Sequence, residues 1–139
     1  QNKYYCPSLY INLPKKLLNL ANTSIDLSDG LISDLEKLIN KQRLSYELYL
    51  DKIPISNYLK KILIVKKLKK INFVSKGDDY QILFTASRSK SRIISKTFKS
   101  LGIKISKIGK ICSYSKKPQI IDEKGKKIAL NDKGYLHSF

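Results

Sequence analysis

The chain has 139 residues, 42% of them hydrophobic and 28% charged, with a formal net charge of +17 and two cysteines. That length suits one domain with a sizeable core and no disulfide framework, while the longest apolar run, Ile62 to Val65, is far too short to cross a bilayer. The charge comes from 25 Lys against only 3 Arg, spread along nearly the whole sequence, which disfavours a dedicated nucleic-acid interface, because such interfaces favour Arg and interleaved aromatics.

Nothing reads as a signal peptide, and Cys6 and Cys112 lie far apart without a CxxC, so they are expected to be reduced thiols in a cytoplasmic protein. A chain that begins at Gln1 and contains no Met reads as a piece of a longer translated product.

Residues 1–13 are expected to be an irregular linker entering a single domain. Pro14 then opens a short helix, Lys15 to Ala21, with Leu17, Leu18 and Leu20 as apolar contacts. Asn22 and Thr23 break it. In the strand that follows, Asp26 and Ser28 share one face while Ile25 and Leu27 turn to the core. Gly30 sits where the backbone must turn, Asp29 is placed to cap the next helix, and Leu31, Leu35, Leu38 and Ile39 give that helix a buried stripe as far as about Arg43.

Leu44 to Leu50 alternates as a strand, and Ser56 or Asn57 is expected to cap a basic helix, Tyr58 to Lys70, with Leu59, Ile62, Leu63, Val65 and Leu68 on its apolar side. Such a helix could lie on a membrane surface; a solvated basic face over a core-facing stripe is the preferred reading. After the short apolar piece Ile71 to Val74, the turn Ser75-Lys76-Gly77-Asp78-Asp79 opens a strand in which Tyr80, Ile82 and Phe84 share one face.

A helix from about Lys90 to Leu101 is expected to turn Ile93, Ile94, Thr97, Phe98 and Leu101 inward, with Gly102 just past its end. Strands are expected at Ile103 to Ile108 and Lys110 to Tyr114, and a hairpin joins Gln119–Asp122 to Lys127–Leu130. Interleaved helices and strands with a strand-rich last third predict an α+β, layered α/β fold: a mixed β-sheet with helices packed on it.

Two stretches stand out chemically. Ser24-Ile25-Asp26-Leu27-Ser28-Asp29-Gly30 and Lys76-Gly77-Asp78-Asp79 each place carboxylates at a Gly-containing turn on a strand boundary, and together they hold four of only 11 acidic residues. Each alone reads as a helix cap or a solvated turn. Carboxylates gathered amid lysines suit a site that handles Mg²⁺ and anionic phosphates together.

These two stretches resemble a known family. Ser-Ile-Asp-Leu-Ser-Asp-Gly-Leu-Ile-Ser-Asp-Leu at 24–35 is similar to the Asp-x-Ser-Asp-Gly-Leu signature of thiamine-monophosphate kinases. Ser-Lys-Gly-Asp-Asp-Tyr-Gln-Ile-Leu-Phe-Thr at 75–85 resembles their Gly-Gly-Glu-Asp-Tyr-Glu-Leu-Leu-Phe-Thr segment, and Gly134-Tyr135 with His137 and Phe139 resembles their terminal Gly-Tyr-x-His-Phe with Ser138 inserted.

The resemblance covers the chain but only the C-terminal domain of such an enzyme, with the aminoimidazole ribonucleotide synthetase-related fold. It implies ATP- and Mg²⁺-dependent phosphorylation of thiamine monophosphate to thiamine diphosphate. By residue, it implies Mg²⁺ ligation by Asp26 and Asp29, an ATP contact from Ser28, and substrate contacts from Asp78 and Tyr135. It also implies a missing N-terminal nucleotide-binding domain, a homodimer of the full-length enzyme, and an isolated fragment without appreciable kinase activity.

Departures from the pattern are Asp78 for Glu, Lys76 for Gly and Gln81 for Glu. The competing readings are another ATP-dependent member of the same superfamily, a basic nucleic-acid-binding module, and a degenerate non-catalytic domain.

Overall fold

A computed structural model describes residues 13–39, 42–77 and 81–128. Within these, the helices are α1 (Leu13–Leu20), α2 (Leu31–Ile39), α3 (Asn57–Val65), the single turn α4 (Ile71–Val74) and α5 (Ser91–Ser100). The strands are β1 (Thr23–Asp26), β2 (Leu44–Tyr49), β3 (Ile82–Thr85), β4 (Gly109–Ser113), β5 (Gln119–Ile121) and β6 (Lys127–Ile128), with 3-10 turns at Leu50–Lys52 and Arg88–Lys90.

The strands form two sheets. One is an antiparallel ribbon of β1 and β3, in register from Thr23 opposite Thr85 to Asp26 opposite Ile82. The other is mixed, in the order β4-β2-β5-β6, with β2 antiparallel to β4 and parallel to β5. The β5–β6 pair is the expected hairpin, turning through Asp122, which accepts the amides of Lys124 and Lys126. The fold is thus α+β, as the interleaved periodicities predict.

Two apolar clusters hold these pieces together. Alternation in β2 turns Tyr46 and Leu48 inward, where they meet Leu31, Ile32, Leu35, Leu38 and Ile39 of α2, with Ile25, Leu27, Leu83 and Ile120 closing the cluster. The second cluster joins Leu13, Leu17 and Leu20 of α1 to Ile94 and Phe98 of α5, and Phe84 stacks on Phe98 with ring centroids 5.8 Å apart. Because Leu83 and Phe84 point to opposite faces, the β1–β3 ribbon is shared by both clusters.

Several expectations need correction. Leu13, taken as the last linker residue, begins α1 and is 5% exposed. Residues 103–108 form no strand; Lys104 to Lys107 are exposed, and the segment touches the sheet through the Tyr49 amide donating to the Ile108 carbonyl at 2.8 Å. The basic helix stops at Val65, since Lys67 has a φ of 51° in the left-handed region, which ends helical propagation. Val65 and Leu68 therefore lie outward, at 80% and 40% exposure.

Ile93 is likewise exposed, and α2 ends at Ile39, with Arg43 in a turn at a φ of 48°. Two caps match their sequence signals. Ser56 Oγ accepts the Leu59 amide, and beyond α5 the amides of Gly102 and Ile103 return to the Lys99 and Phe98 carbonyls, with Gly102 at a φ of 66°.

Candidate functional site

Asp26 is the last residue of β1 and is exposed, on the face opposite Ile25. Antiparallel pairing continues one step beyond it, the Leu27 amide donating to the Gln81 carbonyl at 2.8 Å. The chain then turns through Ser28, Asp29 and Gly30 into α2. Gly30 adopts a φ of 113°, a conformation that a side chain strains, and a Cβ there would lie 2.2 Å from the Ser75 carbonyl oxygen. Reciprocally, a Cβ on Gly77 would lie 2.0 Å from the Ser28 carbonyl oxygen. The two motif turns therefore pack backbone against backbone, each relying on the other's glycine.

One carboxylate organises the first turn. Asp34 Oδ2 accepts the amides of Ser28 at 2.8 Å and Asp29 at 3.0 Å, so the buried Asp34 gathers amides at the entrance to α2. Its Oδ1 accepts Lys37 Nζ at 3.0 Å, one helical turn on. The same ammonium also donates to Asp29 Oδ2, and Ser28 Oγ lies 3.4 Å from Asp29 Oδ1. Hydrogen bonds first to Asp29 and then to Asp34 raise the Lys37 pKa above the usual lysine value. The side chain of Asp34 is 1% exposed and that of Asp29 19%, so the ammonium bridges one buried and one accessible carboxylate.

Sequence reasoning missed Asp34 and Lys37. The signal was available: Asp34 falls on the stripe defined by Leu31, Leu35 and Leu38, and an ionisable residue on a core-facing stripe demands buried partners. Of the expected site residues, the structure brings Asp26, Ser28 and Asp29 to one turn and sets that turn against Gly77 and Gln81. Asp78 and Tyr135 lie outside the described residues.

A second polar group decorates β2 and β4. Glu47 accepts Lys110 Nζ and Tyr49 Oη, each at 2.9 Å, which lowers its pKa, Lys110 contributing most. Next to it, Ser45 Oγ is buried and has no hydrogen-bond partner.

Together these features define the class: an α+β domain with an acidic turn whose amides are held by Asp34 and whose accessible carboxylate, Asp29, already pairs with an ammonium, an arrangement suited to a cation. No family model matches the sequence. Curated relatives do. Thiamine-monophosphate kinase from Buchnera aphidicola of Schizaphis graminum is 34% identical over 121 residues, covering 87% of this chain and 37% of its own length. That of Escherichia coli K12 is 30% identical over 131 residues, covering 94% of this chain and 40% of its own.

Among solved structures, thiamine-monophosphate kinase from Stenotrophomonas maltophilia K279a superposes with a TM-score of 0.70 at 25% identity, over 84% of this chain and 36% of that one. A structure described as AaThiL complexed with AMPPCP and TMP gives a TM-score of 0.70 at 26% identity, over 99% of this chain and 40% of that one. The chain spans a little over one third of the length of the curated relatives named here. It is homologous to a part of thiamine-monophosphate kinase.

Proposed function

We propose that this chain is the C-terminal domain of a cytoplasmic thiamine-monophosphate kinase, which transfers a phosphoryl group from ATP to thiamine monophosphate and yields thiamine diphosphate. The supporting observation is the interlock of Gly30 with Ser75 and of Gly77 with Ser28, which sets the two motif turns edge to edge. In sequence, Asp78, the proposed substrate contact, follows Gly77 directly, and Asp29, the proposed metal contact, follows Ser28 directly.

Phosphoryl transfer demands positioning and charge neutralisation more than covalent chemistry. Among the described residues no three His, Cys, Asp or Glu side chains gather as a ready-made cage. The donor set still suits Mg²⁺, which takes one or two carboxylates and completes its shell with water and phosphate. Asp26 and Asp29 supply that number, and the Lys37 ammonium already occupies a cation position on Asp29. When bound, the metal would neutralise charge on the phosphate oxygens. Ser28, whose amide is anchored by Asp34, holds the turn's shape and offers its hydroxyl to the nucleotide. Tyr135 would pack on the ring system of thiamine monophosphate.

The remaining nucleotide contacts belong in this reading to an N-terminal domain of a homodimeric enzyme, so the isolated chain has no appreciable kinase activity. The test is ATP-dependent turnover by the longer protein with thiamine monophosphate against other phosphorylated acceptors. Selective formation of thiamine diphosphate supports the proposal, whereas turnover of another acceptor alone, or robust turnover by the isolated chain, contradicts it.

A further inference from the structure

Lys37 Nζ touches two carboxylates of unequal character. Asp34 is fixed: it is buried, one helical turn away, and its other oxygen is committed to two backbone amides. Asp29 is accessible at the mouth of the turn, with a side chain 19% exposed. An ammonium held this way has a permanent anchor and an exchangeable partner. Lys37 itself is 47% exposed, so it can swing off Asp29 without leaving Asp34 and without disturbing the core.

We propose that Lys37 is a built-in counter-ion for Asp29, a positioning residue that holds the carboxylate oriented and neutralised until a divalent cation displaces it. This inference rests on the reading of Asp29 as a metal ligand. The ammonium and a divalent cation would compete for the same carboxylate, so Lys37 would weaken intrinsic metal affinity at the turn and offset the charge of metal-free Asp29 toward approaching phosphates. With the metal on Asp29, the lysine remains tethered to Asp34 as a second positive charge beside it.

The experiment is titration of the 139-residue chain with Mn²⁺ alone, followed by water-proton relaxation and by the electron paramagnetic resonance signal of free Mn²⁺. The set is wild type, Lys37→Gln, Lys37→Arg and Asp29→Asn, each checked for folding by circular dichroism. Lys37→Gln should bind Mn²⁺ about fivefold more tightly than wild type, the size of one partly exposed ion pair. Lys37→Arg should stay at the wild-type affinity, and Asp29→Asn should lose the site.

Binding that depends on Asp29 but is unchanged or weakened in Lys37→Gln overturns the counter-ion role alone. Binding indifferent to Asp29, or no binding in any variant, removes the metal reading and this inference with it.

Discussion

Gly30 and Gly77 each occupy space that only a glycine leaves open, and each leaves it for the other's turn: the Ser75 carbonyl sits 2.2 Å from where a Gly30 Cβ would be, and the Ser28 carbonyl 2.0 Å from a Gly77 Cβ. Neither obstacle is a flexible side chain tip, so neither can step aside cheaply. Gly30→Ala and Gly77→Ala should each destabilise the chain by about 3 kcal/mol, through backbone displacement and, at Gly30, added strain at positive φ. Urea unfolding measures this. The double variant should cost clearly less than the sum of the singles, because one separation of the turns relieves both clashes.

Asp34 is the structural hinge of the same turn. Asp34→Ala removes, from a buried position, the acceptor of two part-buried amides and one partner of the half-exposed Lys37. A loss of about 2 kcal/mol is expected, mainly from the two turn amides left without their acceptor. Amide hydrogen exchange at Ser28 and Asp29 should accelerate markedly in that variant. Unchanged protection there would show that another group anchors the turn.

Glu47 gives a defined acid dependence. Its pKa is lowered in the folded chain, mainly by Lys110 and then by Tyr49. Below its ordinary value of 4.5 the unfolded chain takes up the proton more readily than the folded one, so stability falls as pH falls through the folded value and the contribution is complete above pH 4.5. Glu47→Gln should be less stable than wild type at neutral pH, with the difference closing as pH drops toward 3. Thermal melts across that range read the effect, and 0.5 M salt should reduce it because Lys110 is half exposed.

Ser45 runs the other way. Its hydroxyl is buried without a partner. Replacing it by Ala removes an unsatisfied polar group at small cost in volume, so Ser45→Ala should be neutral or stabilising by up to about 1 kcal/mol. A loss of more than that would mean that the hydroxyl has a partner in solution.

The periodicities in the sequence carried most of the architecture because burial enforces them. The α2 stripe of Leu31, Leu35, Leu38 and Ile39 is buried as expected, and the β2 alternation of Tyr46 and Leu48 meets it. Where periodicity misled, no partner enforced it. Ile103 and Ile105 alternate with Lys104 and Ser106, yet among the described residues no strand pairs with residues 103–107. The lysine-rich helix carried its pattern past Val65, but the left-handed Lys67 stopped it.

At the site, Asp26, Ser28 and Asp29 were legible as chemistry at a strand boundary. The approach of the second turn was legible only through likeness to a family, since long-range contact leaves no local mark. Asp34 and Lys37 went unread because an acid on a helix normally reads as a solvated face.

The most direct test of a single shared cation edge is paramagnetic broadening by Mn²⁺ in the ¹⁵N-labelled 139-residue chain. Two separated stretches of sequence should lose their amide signals together: residues 26–30 and residues 76–79. Broadening confined to one of these stretches, or centred on the Glu47–Lys110 face, would contradict a site shared by the two turns.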